Sequence, residues 1–501
     1  MNNYLLGIDN GSTVTKASIF DFDGVEVASY GCKSDLLTPK AGYYERDMNQ
    51  IWEANVEAVS NVIKKASIDS KDIKAVSLTG HGNGLHLVDE KGEPVRNSIE
   101  GLDSRASGYV KKLMDDGTFE KTHPLTMQIL WPALSSLIFL WMIDNEPESL
   151  KKAEWSFTVV DYVRFKLTGV ANTEITNLSG VGLLNTKEEK LDSELLDLMG
   201  LSEIERLIPP LVKSTDICGE ITKDVAKITG LEEGTPVVAG LYDIDAAAVS
   251  TGVIDESKMN VIAGTWCNNQ YVSKTPIISD RFFSTTVFSN PGYYLMLEGS
   301  PTSASNLEWF VGEFLQAENK IAKQKGTSVF DICNEAVKKT NPEDTDIVFV
   351  PFLYGSNAKP NAKSVILGLQ GWHKREHVIR AIYEGICFSH KWHVDKLMEY
   401  REKPNAARFA GGASRSDVWL QMFADVLQMP MEITRAEELG TLGAAICGAV
   451  GIGVFESFDS ASKKMVHVDR RFDPQKDKEE IYNRKFKRYK KAIKSLEDYW
   501  E

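Results

Sequence analysis

The sequence predicts an α/β protein of two related halves, and three observations carry that prediction. An apolar strand, a glycine-bearing turn and an alternating strand open the chain at YLLGIDNGSTVTKASIF, and the same layout returns at MNVIAGTWCNNQYVS. In each half, apolar strands alternate with amphipathic helices, the pattern of strand–helix units built around a sheet. No long Pro, Gly or Ser linker and no short-period repeat interrupts the chain, so the halves are expected to pack tightly, hinged near residue 250.

Taken in order, YLLGID reads as a buried strand, NGST as a turn and VTKASIF as an alternating strand, with Asp23 and Gly24 marking a second hairpin into VEVASY. Residues 48–65 have the spacing of an amphipathic helix, and AVSLTG reads as an apolar strand ending at Gly80. Residues 109–170 are mostly helical in pattern. Their most apolar run, residues 129–143, is too short to span a bilayer and is broken by Pro132 and two serines, so a buried helix is expected there. TPVVAGLYD is a strand running into a turn at Asp243, and AAAVSTGV after it a helix. Beyond the second hairpin, MLEGSPTSASNLEWF leads from strand to helix, and IVFVPFLYGSN from strand to loop. A long helix over residues 375–400, the strand ARFAGGAS and a helix over residues 416–427 follow.

The chain has 501 residues, 43% hydrophobic and 26% charged, which excludes the disordered, collagenous and low-complexity classes. Lys and Arg number 57 against 71 Asp and Glu, a net charge of −14. With no basic block, that balance argues against a nucleic-acid partner. It also means that an anionic ligand has to be held by local devices against the overall field. The six cysteines are scattered without a CxxC pair, which fits a reducing cytoplasm. The first residues lack the basic and apolar regions of a signal peptide, and no membrane partner is expected.

Four turns could carry chemistry. In GIDNGSTVTK, glycine lets backbone approach a ligand, and successive N–H groups in a tight turn can nest an anion. Asp9, at the end of its strand, is placed to hold the waters of a Mg²⁺ ion. An ordinary hairpin with a polar turn is the other reading of the same residues. In GLYDID, a helix start favours an ionised carboxylate, so Asp243 could act as a base or orient a hydroxyl. Taken by itself, the same residue reads as a simple N-cap. Asp245 reads as first-turn charge. The turn AGTWCNN around Gly264 and Thr265, and FAGGASRSDVW with Gly411 and Gly412, could form a backbone ledge for a nucleotide near a helix N-terminus, or simply tight connections.

Together these residues resemble the FGGY carbohydrate kinases, the sugar-kinase branch of the actin-like, ribonuclease H-like ATPases, over nearly the whole chain. In SVILGLQGWHKREHVIRAIYEG, Ser364, Gly368, His377, Ala381 and Glu384 fall at the spacing of that family's C-terminal signature. GGASRSDVWLQMFADVL followed by ELGTLGAA looks like its adenosine motif, and GYYERD, GLDSRA with Asp103 and Arg105, and NEPE are similar to segments of such kinases. The resemblance implies two ribonuclease H-like domains, residues 1–247 on the sugar and phosphate side and 248–501 on the nucleotide side, with a cleft between them for ATP. It implies Asp243 as catalytic base, Asp9 as holder of hydrated Mg²⁺, and Gly11, Ser12, Thr13 and Lys16 facing the γ-phosphate. Gly264 and Thr265 would meet the phosphates from the other side, and Gly411, Gly412 and Ser416 would line the adenosine site. A cytoplasmic enzyme is implied, and a homodimer is compatible with it.

Departures from the family bear on substrate. D-xylulose kinases typically read GQMHG where this chain has GHGNG, so His81 and Asn83, with Asp103 and Asp243, are the candidate sugar contacts, and Gly82 is expected to leave extra room. The usual PYLxGER loop is PFLYGSNAKP, with Ser356 and Asn357 in place of Glu-Arg. These departures, with LEWF and the Leu130-Trp131 pair, look similar to the L-xylulose kinase subgroup. The expected activity is ATP-dependent phosphorylation of a terminal hydroxyl of a ketopentose, leaning to L-xylulose, with D-xylulose, ribulose, gluconate or a polyol as alternatives. A catalytically silent sugar or nucleotide sensor is a rival, but it would be marked by loss of Asp9 or Asp243, and both are present. A chaperone-type or cytoskeletal ATPase is unsupported, because GYYERD and GLDSRA belong to the sugar-kinase pattern. His390 and His393 have possible metal spacing but no third ligand in sight, and read as a helix face. Residues 481–500 read as a terminal amphipathic helix docking on its own domain.

Overall fold

The structure, a computed structural model, describes residues 3–356 and 361–500. Asn357 lies outside the described residues, whereas its neighbour Ser356 is buried. The chain divides into two compact units, Met1–Ile254 with Val272–Met296 and Ala436–His467, and Asp255–Tyr271 with Leu297–Arg435 and Val468–Glu501.

In the first unit a six-stranded sheet runs in the order Ile217–Glu220, Pro236–Tyr242, Ile73–Gly80, Tyr4–Asn10, Val14–Asp21, Glu26–Lys33. The three strands from Pro236–Tyr242 to Tyr4–Asn10 are parallel, and the two hairpin strands beyond are antiparallel. The sheet is buried on both faces, as a parallel centre requires. Tyr4, Leu6 and Ile8 share a core with the helix Met48–Ala66, while Leu5 shares one with the helix Leu439–Gly451. With a side-chain period of two, Asp9 therefore falls on the Leu439–Gly451 face. Contact on that face is close: a Cβ on Gly7 would lie 1.9 Å from the Thr441 carbonyl oxygen. A smaller sheet ordered Leu37–Lys40, Tyr43–Arg46, Ser98–Glu100, Gly84–Val88, Trp155–Phe157 brings Arg46 and Glu100 onto neighbouring strands.

The expected hairpins and the helix over residues 48–65 are present. That helix is capped by Asp47, whose side chain accepts from Asn49 N, and ends at Ser67 in the left-handed region. The apolar run 129–143 is only partly helical, since the helix is Ser135–Asn145. Pro132 and the turn before Ser135 keep the first residues out of it, although Leu137, Ile138, Phe139 and Met142 are buried as expected. A short strand, Trp155–Phe157, also interrupts the region read as mostly helical.

In the second unit, Lys258–Ala263 pairs antiparallel with Cys267–Ser273 and parallel with Ala406–Ala410, repeating the strand–turn–strand opening of the first. Met431–Thr434 and Val468–Phe472 extend this sheet. The helix Arg375–Met398 is buried along most of its length. His390 lies between Ser303 and Asn269, and His393 against Glu298, so both are on a buried face of the helix with protein partners. The terminal helix Glu479–Ser495 docks on its own unit, with Phe486 and Tyr489 against Phe388, and Lys485 on Glu384 at 2.5 Å. All six cysteines are buried and free. Among the described residues, no helix is long and apolar enough to cross a membrane.

Candidate active site

Asp9 near the end of a strand and Asp243 at the start of a helix belong to the same unit, and the charge of Asp9 reaches Asp243. Asp9 is the penultimate residue of Tyr4–Asn10 and lies opposite Lys16 across the hairpin. Its carboxylate abuts the first turn of Leu439–Gly451, where a Cβ on Gly440 would come within 2.1 Å of Oδ2. Burial raises the Asp9 pKa to about 6. Lys16 and His81 oppose the rise, and Glu438 adds to it.

Asp243 is the first residue of the helix Asp243–Thr251, so it is not the N-cap. That position belongs to Tyr242, which makes no side-chain cap bond. Nor does the helix start keep Asp243 at an ordinary carboxylate pKa. Burial, then the nearby Asp9 charge, lifts it to about 7, against the opposing pull of His81 and the Ile244 N–H. A carboxylate near pH 7 has the basicity a general base needs at neutral pH. Asp245 is in the first turn of the helix as expected, but it is fully buried, and its Oδ1 accepts from Ser289 N at 2.8 Å.

The phosphate-type turn is closed by Gly11 N–H donating to Val14 O at 3.1 Å, which leaves Ser12 and Thr13 toward solvent. Lys16 Nζ is paired with Glu438 Oε2 at 2.7 Å, a partner that sequence reasoning missed because it lies 422 residues away. Behind the turn, buried Arg46 donates to Gly11 O at 3.3 Å and approaches Glu100 Oε2 at 3.7 Å. Glu100 also meets His81 Nε2 at 3.2 Å, while His81 Nδ1 lies 2.8 Å from Asn83 O. Burial alone would lower the His81 pKa, but Glu100 outweighs it and the net shift is upward. Glu100 itself is held down, to about 2, because His81, His86 and Arg46 overcome its own burial. His86, buried and lowered to about 3, is neutral. Both ring nitrogens of His81 thus face protein partners.

Gly82 does not leave the expected room. A Cβ there would come within 2.1 Å of Tyr242 Cε2, so the phenol ring fills that space. Asp103 is buried and saturated: Oδ1 accepts from Arg105 N and Nε, and Oδ2 from Tyr44 N and Arg105 Nη2. Arg105 lies 4.3 Å from the centroid of the Tyr43 ring and 5.0 Å from that of Trp141.

The second unit holds the remaining residues. Gly411 has φ +93°, and a Cβ on it would lie 2.5 Å from Ala263 C and O, so glycine is needed where this turn meets the strand end. Ala304 N donates to Gly264 O, and Ser303 N to the carbonyl of exposed Thr265. A cavity of about 280 Å³ is lined by Gly412, Ser416, Phe330, Asp331, Asn334, Tyr383 and Trp419, among others. Ser416 caps the helix Asp417–Leu427 by accepting from Trp419 N, and donates to Asn334 Oδ1 at 2.6 Å. Tyr383 OH donates to the same oxygen at 3.0 Å, so the Asn334 amide nitrogen is the polar group left to read a ligand. The Tyr383 and Trp419 rings lie 4.4 Å apart. Asn334 and Tyr383 went unnoticed in the sequence, although Tyr383 sits inside the quoted signature, one residue before Glu384.

Comparison with known proteins follows the same lines. Residues 4–250 match the FGGY family of carbohydrate kinases, N-terminal domain, and residues 259–452 match its C-terminal domain. The L-xylulose/3-keto-L-gulonate kinase of Escherichia coli (strain K12) is 34% identical over 506 residues, covering 100% of this chain and 98% of that protein. A probable L-xylulose kinase of Pasteurella multocida (strain Pm70) is 34% identical, covering 99% of each. The crystal structure of ligand-bound xylulose kinase from Lactobacillus acidophilus has a TM-score of 0.90 at 23% identity, covering 99% of this chain and 98% of that one, a likeness that shows the two-domain actin-like ATPase fold.

Proposed function

The chain belongs to the FGGY family of carbohydrate kinases and is a carbohydrate kinase, and on that premise we propose that it transfers the γ-phosphate of ATP to a terminal hydroxyl of a ketopentose, L-xylulose. The observation that carries the proposal is Asp243 at a helix start beside Asp9, with its pKa near 7. In this reading Asp243 accepts a hydrogen bond from the attacking hydroxyl and takes its proton as the phosphoryl group transfers. The demand on it is modest, because the loose transition state of phosphoryl transfer depends mainly on alignment and charge stabilisation.

The residues fit a hydrated Mg²⁺. The donors are hard carboxylate oxygens, and the Asp9 charge raises the proton affinity of Asp243, a local excess of negative charge that a cation would relieve. Among the described residues there is no cluster of three or more His, Cys, Asp or Glu that would cage a dehydrated ion. Asp9 would hold the ion through its waters. When bound, it would neutralise charge on the phosphates.

Ser12, Thr13 and Lys16 are assigned to the γ-phosphate, with Gly11 fixing their turn, and His81 and Asn83 to the sugar. Asp103 is assigned the task of holding Arg105 and the GYYERD segment beside them. Gly264 and Thr265 are assigned to the phosphates, and Gly411, Gly412 and Ser416 to the adenosine. By sequence, the sugar and phosphate chemistry belongs to residues 1–247 and the nucleotide to residues 248–501.

The choice of L-xylulose is supported by two relatives whose names carry that sugar, each 34% identical over essentially full length, and by the GHGNG departure from GQMHG. An ATP-consumption screen against L-xylulose, D-xylulose, L- and D-ribulose, gluconate, erythritol and glycerol tests it. The expected result is the highest kcat/KM with L-xylulose. Background turnover with every sugar would overturn the proposal, and a clear preference for another compound would overturn the substrate.

A further inference from the structure

Tyr242 is the last residue of the strand Pro236–Tyr242 and immediately precedes Asp243. Its backbone N–H donates to Thr176 Oγ1 at 3.0 Å. Its ring sits between two glycines. A Cβ on Gly82 would lie 2.1 Å from Cε2 and 2.3 Å from Cζ, and a Cβ on Gly180 would lie 2.6 Å from Cε1. Close-packed interiors do not accommodate such approaches, so neither position can carry a side chain while the ring is in place.

Asn83 is next to Gly82, and its side chain interacts with the Tyr242 phenol, partly offsetting the rise in proton affinity that burial gives the hydroxyl. Asn83 is only 8% exposed, and its Oδ1 has no hydrogen-bond partner in the protein. A buried acceptor left without a donor is destabilising, and a ligand hydroxyl placed there would recover the loss. In the GQMHG pattern, the places of Gly82 and Asn83 are held by Met and His. Here the volume of that Met is filled from a different strand, by a rigid ring with a hydroxyl.

We propose that Tyr242 is a specificity-determining residue of the sugar site: its ring, fixed by Gly82 and Gly180, forms the wall beside Asp243, and its hydroxyl orients Asn83 so that Oδ1 receives one hydroxyl of the ketopentose. The inference rests on the sugar-kinase reading above. A sugar epimer that turns this hydroxyl away leaves Oδ1 unpaired, and sites built to hydrogen-bond a substrate hydroxyl discriminate strongly on that ground.

The test measures kcat and KM for the two xyluloses, the two ribuloses and ATP in the wild type, Tyr242→Phe, and the double variant Gly82→Met/Tyr242→Gly. Tyr242→Phe keeps the ring and its clamp, so it separates the hydroxyl from folding. It should raise KM for the best sugar about tenfold, leave KM for ATP within about twofold, and narrow the preference between epimers by about tenfold. The double variant refills the same volume from the other side and should move preference toward D-xylulose. If both variants keep the wild-type ratios among sugars within about twofold, the inference is overturned while the kinase reading stands. Background turnover by the wild type with every sugar would overturn the kinase reading and this inference with it.

Discussion

Asp243, already raised by burial, is pushed further up, to about 7, by the carboxylate of Asp9 beside it. Both groups bind protons more tightly in the folded protein than in the unfolded chain, where carboxyls titrate near 4. Their contribution to stability is therefore present in full below the ordinary carboxylate range and is lost as pH rises through about 6 for Asp9 and about 7 for Asp243. The ligand-free enzyme should lose thermal stability across that window. Asp243→Asn, which cannot ionise, should exceed the wild type in Tm by roughly 5 °C at about pH 8 and lose that advantage by about pH 4. Thermal melts of the two proteins over this range check it, and parallel curves at all pH values would contradict it.

Gly440 is in the first turn of a helix and has no left-handed backbone to excuse it, so alanine there should be neutral or slightly stabilising on helix propensity alone. A methyl at that position nevertheless lies 2.1 Å from Asp9 Oδ2. Gly440→Ala should therefore displace the Asp9 carboxylate and cost kcat/KM on the order of 100-fold, while Tm changes little. Titration of activity against Mg²⁺ should show a higher metal requirement in the same variant. Unchanged kinetics would show that the carboxylate position is immaterial.

Asn334 Oδ1 is occupied by Ser416 and Tyr383, which leaves the amide N–H groups for a ligand in the cavity that the proposed reading gives to the adenosine. Asn334→Ala should raise KM for ATP about tenfold and leave KM for the sugar nearly unchanged, as expected when one buried hydrogen bond to a ligand is lost. Ser416→Ala should combine a weaker effect of the same kind with a loss of about 1 kcal/mol from the missing cap of Asp417–Leu427. Steady-state kinetics with each substrate varied in turn, together with thermal melts, separate the two effects.

What could be read from the sequence was local. The hairpins at either end of the pattern, the capped helix Met48–Ala66, and the positions of Asp9 and Asp243 at strand and helix ends follow from alternation and turn chemistry within a few residues. What could not be read depends on distant parts of the chain meeting. Glu438 faces Lys16 across 422 residues, Tyr242 occupies the space over Gly82, and Asn334 joins Ser416 from 82 residues away. Gly82 invited the reading of open room because a glycine in sequence shows only the side chain it lacks, whereas the structure shows which neighbour takes the space. The cap reading of Asp243 failed for a related reason. Asp is common at helix starts, but a one-residue shift decides whether its carboxylate turns back to the helix or outward to the site.

The measurement that tests the account most directly is the turnover of Asp243→Asn on the sugar that the wild type phosphorylates best. Asparagine keeps the size of the side chain but cannot accept the proton. The account predicts a fall in kcat of about 10²–10⁴-fold, the range usual for a lost general base, with KM for ATP little changed. An Asp243→Asn enzyme that retains the wild-type kcat would contradict it.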